Sequence, residues 1–415
     1  MLLSEVMIKS LIYIVILIIC WTVCVMKRKN YVMFAFTVSI MTFLVTNVFI
    51  WIESDFTGMG VPWDFTDFTD PVKTGYGNII STNYPPIATI VFKFFHLLVV
   101  NKTSNTLALW YGTFLFLFIC LAVIIILSLD YIRVRDANSE KNVRSILAVL
   151  LLSSPLLYAL SRANLILIAY IGILLFLLYY DSESVGKRSI AIIGLVIAAN
   201  IKYYPAAFGL LLLKKKRYKE AIISAFLGLL VFFIPIWYEV GISGTFEGIR
   251  SLFAGSQEFV DYYRDNCAGL STWQILNFTL NILGISFSKS LVVLLNRVIL
   301  AVVIGTSLAC SYFTVRDDTI LFMCGALCMF VPTVNFWYSA ISLLPAMVVA
   351  LCDRKQTDFF SGSIIALFSL SVVYYETNKV PLGNGFAWSI YLLWLVYVIE
   401  CLKDRFALGI NRRNR

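Results

Sequence analysis

The apolar residues of this chain are collected into long runs instead of being blended along it. Runs that begin at Ser10, Tyr31, Leu107, Ala221 and Ser290 are nearly free of charge. Several approach the roughly 20 residues that an α-helix needs to cross a bilayer. The pattern predicts an all-α polytopic membrane protein. Its eleven predicted crossings lie near residues 8–26, 31–52, 107–128, 145–160, 165–180, 220–238, 290–313, 319–331, 337–352, 359–375 and 387–402.

The composition excludes a water-soluble protein. Of the 415 residues, 60% are hydrophobic and 14% are charged, whereas soluble domains have about 45–50% apolar and about 25% charged residues. The net charge of +9 would suggest a nucleic-acid partner for a soluble chain. Here the basic residues occupy short loops between apolar runs, where they indicate orientation. We therefore expect a lipid bilayer as partner and no nucleic acid.

Basic loops predict the threading of the chain, because lysine and arginine in short loops remain cytoplasmic. We place four basic clusters inside, at residues 27–29, 214–219, 353–355 and 403–415. Acidic residues outnumber basic ones in residues 53–107 and 239–273. These stretches belong to two predicted outer loops, 53–107 and 239–289. Eleven crossings then place the N-terminus outside, in a single integral membrane domain over residues 1–415.

Two apolar pieces do not fit this alternation. Residues 86–100 lie between outer stretches and predict an interfacial helix on the outer surface. Residues 189–213 have basic residues at both ends and a polar interruption at Lys202, which predicts a broken hairpin entered from the cytoplasm. A charge inside a bilayer is costly, so Lys202 is a candidate functional residue. The alternative is a lysine whose amine only reaches the interface.

The first outer loop carries the densest candidate chemistry. Its segment WDFTDFTDP interleaves acidic and aromatic residues. Aromatic rings cover the apolar faces of sugars, and a carboxylate can accept a hydroxyl proton. Carbohydrate chemistry is one interpretation of this loop, and a solvated acidic loop that helps to set topology is the other.

The sequence indicates neither a metal site nor a nucleotide site. The pairs Cys20/Cys24 and Cys324/Cys328 have helical spacing, but no histidine accompanies them, and the one histidine is His96. Packing is the better interpretation of both pairs. No phosphate-binding loop or Rossmann fingerprint is present, which counts against a cytoplasmic nucleotide-sugar enzyme. We expect no metal and no cofactor.

Four segments resemble, in order, segments of glycosyltransferase family 87 over roughly residues 60–275. They are WDFTDFTDPVKTGYGNIISTNYPPIATIVF, SRANLILIAYIGILLFLLYY, ANIKYYPAAFGLLLLKKKRYKEA and NCAGLSTWQI. The first contains an Asp followed four residues later by an aromatic, and a Tyr-Pro-Pro before an apolar segment. The third contains the family's Lys-x-x-Pro. The resemblance implies the type C glycosyltransferase fold and a polyprenyl-phosphate sugar as donor.

The resemblance also implies roles for particular residues. The family's catalytic acid falls on Asp64, with Phe68 at the fourth following position, and Asp67 is the competing choice. Its role is that of a general base that deprotonates the acceptor hydroxyl. Departing phosphate needs cations or hydrogen-bond donors. The matching candidates are Lys202, Arg162, Arg264, Tyr203 and Asn164.

Candidate contacts to the sugar or acceptor come from the first loop and from a late outer turn. They are Trp63, Tyr84, Asn335, Trp337 and Tyr338. Family members often carry histidine in the late turn. This chain has none there, which shifts acceptor recognition towards aromatic residues.

The function implied is an inverting transfer of sugar to an envelope glycan or glycolipid, such as O-antigen. It would occur on the outer, periplasmic face of the bacterial cytoplasmic membrane, with the lipid-linked sugar as the co-substrate. Two alternatives remain open. An O-antigen polymerase or ligase would rely on outer-loop arginines and not on an early acid. A lipid or sugar transporter would use the broken hairpin as its substrate site.

Overall fold

The computed structural model describes residues 31–41, 65–74, 84–99, 106–135, 140–263, 269–354, 358–371 and 383–413. Every regular element in these ranges is helical. The helices are α1 (Tyr31–Met41), α2 (Thr66–Thr74), α3 (Pro86–Val99), α4 (Thr106–Arg135), α5 (Glu140–Leu151), α6 (Ser154–Ser161), α7 (Ile166–Tyr179), α8 (Val185–Ile201), α9 (Leu210–Lys214), α10 (Tyr218–Val240), α11 (Thr245–Tyr263), α12 (Thr272–Ile282), α13 (Lys289–Phe313), α14 (Asp317–Phe330), α15 (Leu344–Asp353), α16 (Phe359–Ser371) and α17 (Gly383–Arg413). Two 3-10 helices, Tyr204–Gly209 and Trp337–Leu343, precede α9 and α15.

Three of the described helices, α4, α10 and α13, are long and apolar enough to cross a membrane, and α5 with α6 make a fourth if the pair forms one bent span. The all-α prediction is confirmed for the described residues, but the count of about eleven crossings is not. Several predicted crossings coincide with short apolar helices. The 14 residues of α7 extend only about 21 Å, against a hydrocarbon core of about 30 Å. The first predicted crossing, 8–26, lies outside the described residues.

The predicted outer loops contain one helix that the sequence predicts and three that it does not. The interfacial helix predicted at 86–100 coincides with α3, and α2 precedes it. The second outer loop holds α11 and α12. A capping box starts α12: Ser271 Oγ accepts from the Gln274 backbone N–H at 3.1 Å, and the Gln274 side chain accepts from Ser271 N–H at 3.4 Å. The Ser-x-x-Gln spacing was the available signal.

The chain divides into two compact units. The first contains Met1–Glu53, Ile132–Pro155 and Arg264–Arg415, and the second contains Ser54–Tyr131 and Leu156–Tyr263. The single membrane domain over residues 1–415 that the sequence predicts stays a prediction. Most of the candidate site residues that the structure describes belong to the second unit.

A buried ionic network holds the first unit together. Arg354 donates to Asp318 Oδ2 at 2.6 Å and to both carboxylate oxygens of Glu400 at 2.9 and 2.8 Å. The Tyr397 hydroxyl donates to the same Asp318 oxygen at 3.0 Å. The network joins the start of α14, the end of α15 and α17. Arg354 belongs to the basic cluster 353–355 that the sequence predicts to be cytoplasmic, and its side chain is buried.

A close helix pair, α7 and α8, forms the core of the second unit. The helices are antiparallel and cross at Gly172 and Gly194, where a Cβ on either glycine would collide with the backbone carbonyl oxygen of the other. Only glycine permits this approach. Because the helices are antiparallel, the start of α7 and the end of α8 lie at the same end of the pair.

Candidate functional site

The start of α2 is fixed by the residue that precedes it. Phe65 has a φ of 51°, a left-handed conformation that is uncommon for residues other than glycine. Its N–H donates to the Ser161 carbonyl at 3.1 Å, and its own carbonyl accepts from Phe68 N–H and Thr69 N–H. These bonds attach the start of α2 to the end of α6. Asp67 lies in the first turn of α2, where a negative charge is favoured.

Phe68, the residue after Asp67, anchors α2 by packing against α3 and α4. Its side chain is fully buried. The ring stacks on Phe116 of α4 at a centroid distance of 4.5 Å and meets Phe92 and Phe95 of α3 edge to face. The neighbouring Asp67 is thereby presented by a helix that two others hold in place.

The turn between α6 and α7 provides the partners of Asp67. Ala163 N–H donates to Leu160 O at 3.0 Å and Asn164 N–H donates to Ala159 O at 2.9 Å, the pattern of a Schellman motif. Ala163 takes the left-handed position with a φ of 48°. Asn164 Oδ1 then accepts from Ile166 N–H at 2.9 Å. This bond fixes the orientation of the Asn164 carboxamide, so that its amide nitrogen is left to donate.

Both oxygens of the Asp67 carboxylate accept hydrogen bonds from this turn. Arg162 Nη2 donates to Oδ1 at 2.7 Å, and Asn164 Nδ2 donates to Oδ2 at 2.6 Å. The side chains of Asp67 and Arg162 are 16% and 30% exposed, so the pair is largely but not wholly shielded from solvent. Two of the predicted phosphate partners therefore contact one of the two predicted catalytic acids.

Lys202 reaches the same cluster from the end of α8. The helix ends at Ile201 because Pro205 has no N–H with which to continue it. Lys202 takes an extended conformation. Its ammonium nitrogen lies 4.9 Å from the centroid of the Tyr84 ring, a cation–π distance. The negative charge of Asp67 also interacts favourably with this ammonium group. The break at Lys202 coincides with the predicted turn of the hairpin.

Asn200 supports this break and was not singled out by the sequence. Its side chain is buried. The amide nitrogen donates to the carbonyls of Val196 at 2.9 Å and Gly228 at 3.2 Å. The second bond attaches the last turn of α8 to α10. The only sequence signal for this supporting role is the position of Asn200, two residues before Lys202.

The cluster combines one carboxylate, one guanidinium, one ammonium group and one carboxamide. Asp67, Arg162 and Lys202 together carry a net charge of +1 in their usual ionised forms. Charge-assisted donors and a planar guanidinium suit recognition of a phosphate group. The arrangement can hold a singly charged phosphodiester beside an aromatic ring.

Other predicted site residues in the first and second loops are only partly described. Asp64, Trp63 and Arg264 lie outside the described residues, and their roles stay predictions.

Tyr203 is 52% exposed and packs edge to face against Phe232. It follows Lys202 directly, but its predicted donation to a phosphate stays a prediction.

The late-turn candidates belong to the first unit and are engaged in its packing. The Asn335 amide nitrogen donates to the carbonyls of Cys328 and Met329 at 3.1 and 2.8 Å. Trp337 Nε1 donates to Ser154 Oγ at 2.7 Å, and both Trp337 and Tyr338 are buried. These contacts give all three residues a structural explanation. Their predicted binding of acceptor stays a prediction.

Comparison with known proteins gives one match. A family model described as glycosyltransferase family 87 matches residues 82–334, more than half of the chain. The matched range includes Tyr84, Arg162, Asn164 and Lys202 and begins after Asp67. Searches of curated proteins and of solved structures found no match.

Proposed function

The chain belongs to glycosyltransferase family 87, and we propose that it transfers a sugar from a polyprenyl-phosphate donor to an envelope glycan or glycolipid. Membership and the apolar helices make it a membrane glycosyltransferase. The finer part of the proposal comprises the lipid-linked donor, an acceptor such as O-antigen, and inversion at the anomeric carbon. It also includes an active site on the outer face of the bacterial cytoplasmic membrane.

The observation that carries the proposal is the convergence of Arg162, Asn164 and Lys202 around Asp67. A polyprenyl-phosphate sugar is a phosphodiester with one negative charge. The net charge of +1 on Asp67, Arg162 and Lys202 complements it. When the sugar leaves, the lipid phosphate becomes a monoester with a second ionisable oxygen. Two cations close by stabilise the charge that develops there.

The reaction proposed is a single displacement. The acceptor oxygen forms a bond to the anomeric carbon while the bond from that carbon to the phosphate oxygen breaks, and the bonding electrons leave with the phosphate. The acceptor's hydroxyl proton goes to a carboxylate, for which the sequence offers Asp64 and Asp67. Attack from the side opposite to the departing phosphate inverts the anomeric carbon.

The remaining predicted residues complete the proposal. Arg264 and Tyr203 would add donors to the phosphate, and Tyr84 would face the sugar beside Lys202. Trp63, Asn335, Trp337 and Tyr338 would contact the acceptor. No cofactor enters the reaction besides the lipid-linked sugar.

The test is turnover by purified protein in lipid vesicles with a panel of polyprenyl-phosphate hexoses and pentoses and a membrane glycolipid extract as acceptor. We expect one donor to be consumed and its sugar to appear on the acceptor with inverted configuration. Retention of configuration, or transfer from nucleotide sugars alone, would contradict the proposal. Movement of labelled lipid without sugar transfer would instead indicate a transporter.

A further inference from the structure

The contact between Asp67 and Arg162 makes two of the predicted roles incompatible. In an inverting displacement the acceptor oxygen and the departing phosphate lie on opposite sides of the anomeric carbon. The base therefore lies beyond one side and the cations beyond the other. In inverting glycosidases, which must also leave room for a nucleophile, the two carboxyl groups are about 6.5–9.5 Å apart. Here the Arg162 Nη2 atom lies only 2.7 Å from Asp67 Oδ1, which leaves no room for the sugar and the acceptor oxygen between the two groups.

The contacts of Asp67 with three groups place it on the side of the anomeric carbon from which the phosphate departs. Arg162 and Asn164 each donate to one of its oxygens, and Lys202 interacts with it electrostatically. All three are donors suited to phosphate, and the fixed Asn164 carboxamide prevents the carboxylate from turning away without losing a bond. Accepting a proton on either oxygen would weaken these bonds and remove the negative charge that faces Arg162.

We infer that Asp67 is the counter-ion that positions Arg162 and offsets the charge of Lys202 beside the donor phosphate, and that it is not the general base. The inference rests on the proposed function. Without Asp67 the two cations would repel each other and would bind a doubly charged phosphate monoester too firmly for rapid release. With Asp67 the cluster keeps a net charge of +1 and can exchange a phosphodiester donor for the phosphate product.

The experiment compares Asp67→Asn with Asp70→Asn, a matched change at an exposed position on the same helix. Two quantities are measured in vesicles: binding of polyprenyl monophosphate alone, and the single-turnover rate across pH with the consumed donor. We expect Asp67→Asn to bind polyprenyl monophosphate several-fold more tightly, because the net charge rises from +1 to +2. The gain should disappear in the Asp67→Asn/Arg162→Gln double variant. We expect Asp70→Asn to change neither quantity.

The pH profile distinguishes a positioning residue from a base. If Asp67 is only this counter-ion, Asp67→Asn keeps the low-pH fall in rate that reports ionisation of the base, and loses less than about tenfold in rate. A base would instead contribute about 10²- to 10⁴-fold. A loss of that size together with disappearance of the low-pH limb overturns the inference, as does unchanged binding of polyprenyl monophosphate. If the parent protein consumes no polyprenyl-phosphate sugar, the proposed function fails, while the binding comparison still tests the counter-ion role.

Discussion

Arg162 donates a 2.7 Å charge-assisted hydrogen bond to Asp67, although 95 residues separate the two positions in the chain. The contact depends on two left-handed residues, Phe65 and Ala163, which orient the start of α2 and the turn after α6. Both elements belong to the second unit. The geometry of the site therefore depends on these two backbone conformations as well as on the charged side chains.

Lys202→Gln should reduce kcat/KM for the donor by about 10²-fold, because a preorganised group facing the developing phosphate charge typically contributes about 10²- to 10³-fold. Lys202→Arg keeps the charge and should retain part of the activity. The control is Lys219→Gln, which removes an exposed lysine on α10. Equal activity of the two glutamine variants would exclude Lys202 from the site.

Phe68→Ala should destabilise the second unit by about 3–5 kcal/mol, the usual cost of truncating a buried phenylalanine. The ring is fully buried among Phe92, Phe95 and Phe116. Thermal unfolding in detergent measures the effect. Phe94→Ala removes a 56% exposed ring from the adjacent α3 and should cost far less. Similar losses for the two variants would show that the aromatic cluster does not secure α2.

Gly172→Ala should separate α7 from α8, since the added methyl group would meet the Gly194 carbonyl oxygen. Overpacking of this kind costs about 1–3 kcal/mol. We expect activity to fall as well, because the helix pair brings Asn164 and Lys202 to one end. Gly305→Ala is the matched control, because among the described residues no atom beyond the neighbouring backbone of its own helix lies within 4 Å of the added Cβ. The two variants are compared by unfolding temperature and by turnover, and a fully active Gly172→Ala would contradict this account of the packing.

Arg354→Met should destabilise the first unit by about 3–5 kcal/mol, because it removes the buried guanidinium that pairs with both Asp318 and Glu400 and leaves Glu400 only its longer, 3.8 Å contact with Arg316. The measurement is chemical unfolding followed in detergent micelles. Arg133→Met breaks a pair with Glu140 in which both side chains are more than half exposed, and such pairs contribute about 0–1 kcal/mol. If Arg354→Met were as stable as Arg133→Met, the network would not be a stabilising element.

The apolar helices and the candidate polar residues of the site could be predicted from the sequence, because apolar runs and charges inside them are local signals. The break at Lys202 was visible as Asn200 to Pro205 within an apolar run. The mutual contacts of Asp67, Arg162 and Asn164 were not, because they depend on the positive φ angles of Phe65 and Ala163. Neither residue type signals that conformation, which glycine usually adopts.

The number of membrane crossings and the role of Arg354 could not be predicted from the sequence. Apolar length alone does not separate a short buried helix from a span, as α7 illustrates. Arg354 follows Asp353 at the end of an apolar run and has the pattern of a cytoplasmic anchor. Its partners Asp318 and Glu400 are 36 and 46 residues away, and only the packing of three helices brings them together.

The stoichiometry of phosphate release tests the central claim most directly. Purified protein in vesicles, supplied with the consumed polyprenyl-phosphate sugar and acceptor, is assayed for transferred sugar and for free polyprenyl phosphate. We predict one polyprenyl phosphate released for each sugar transferred, with both products reduced together in Arg162→Gln and Lys202→Gln. Sugar transfer without release of polyprenyl phosphate, or equal release by the parent and both variants, would contradict the account.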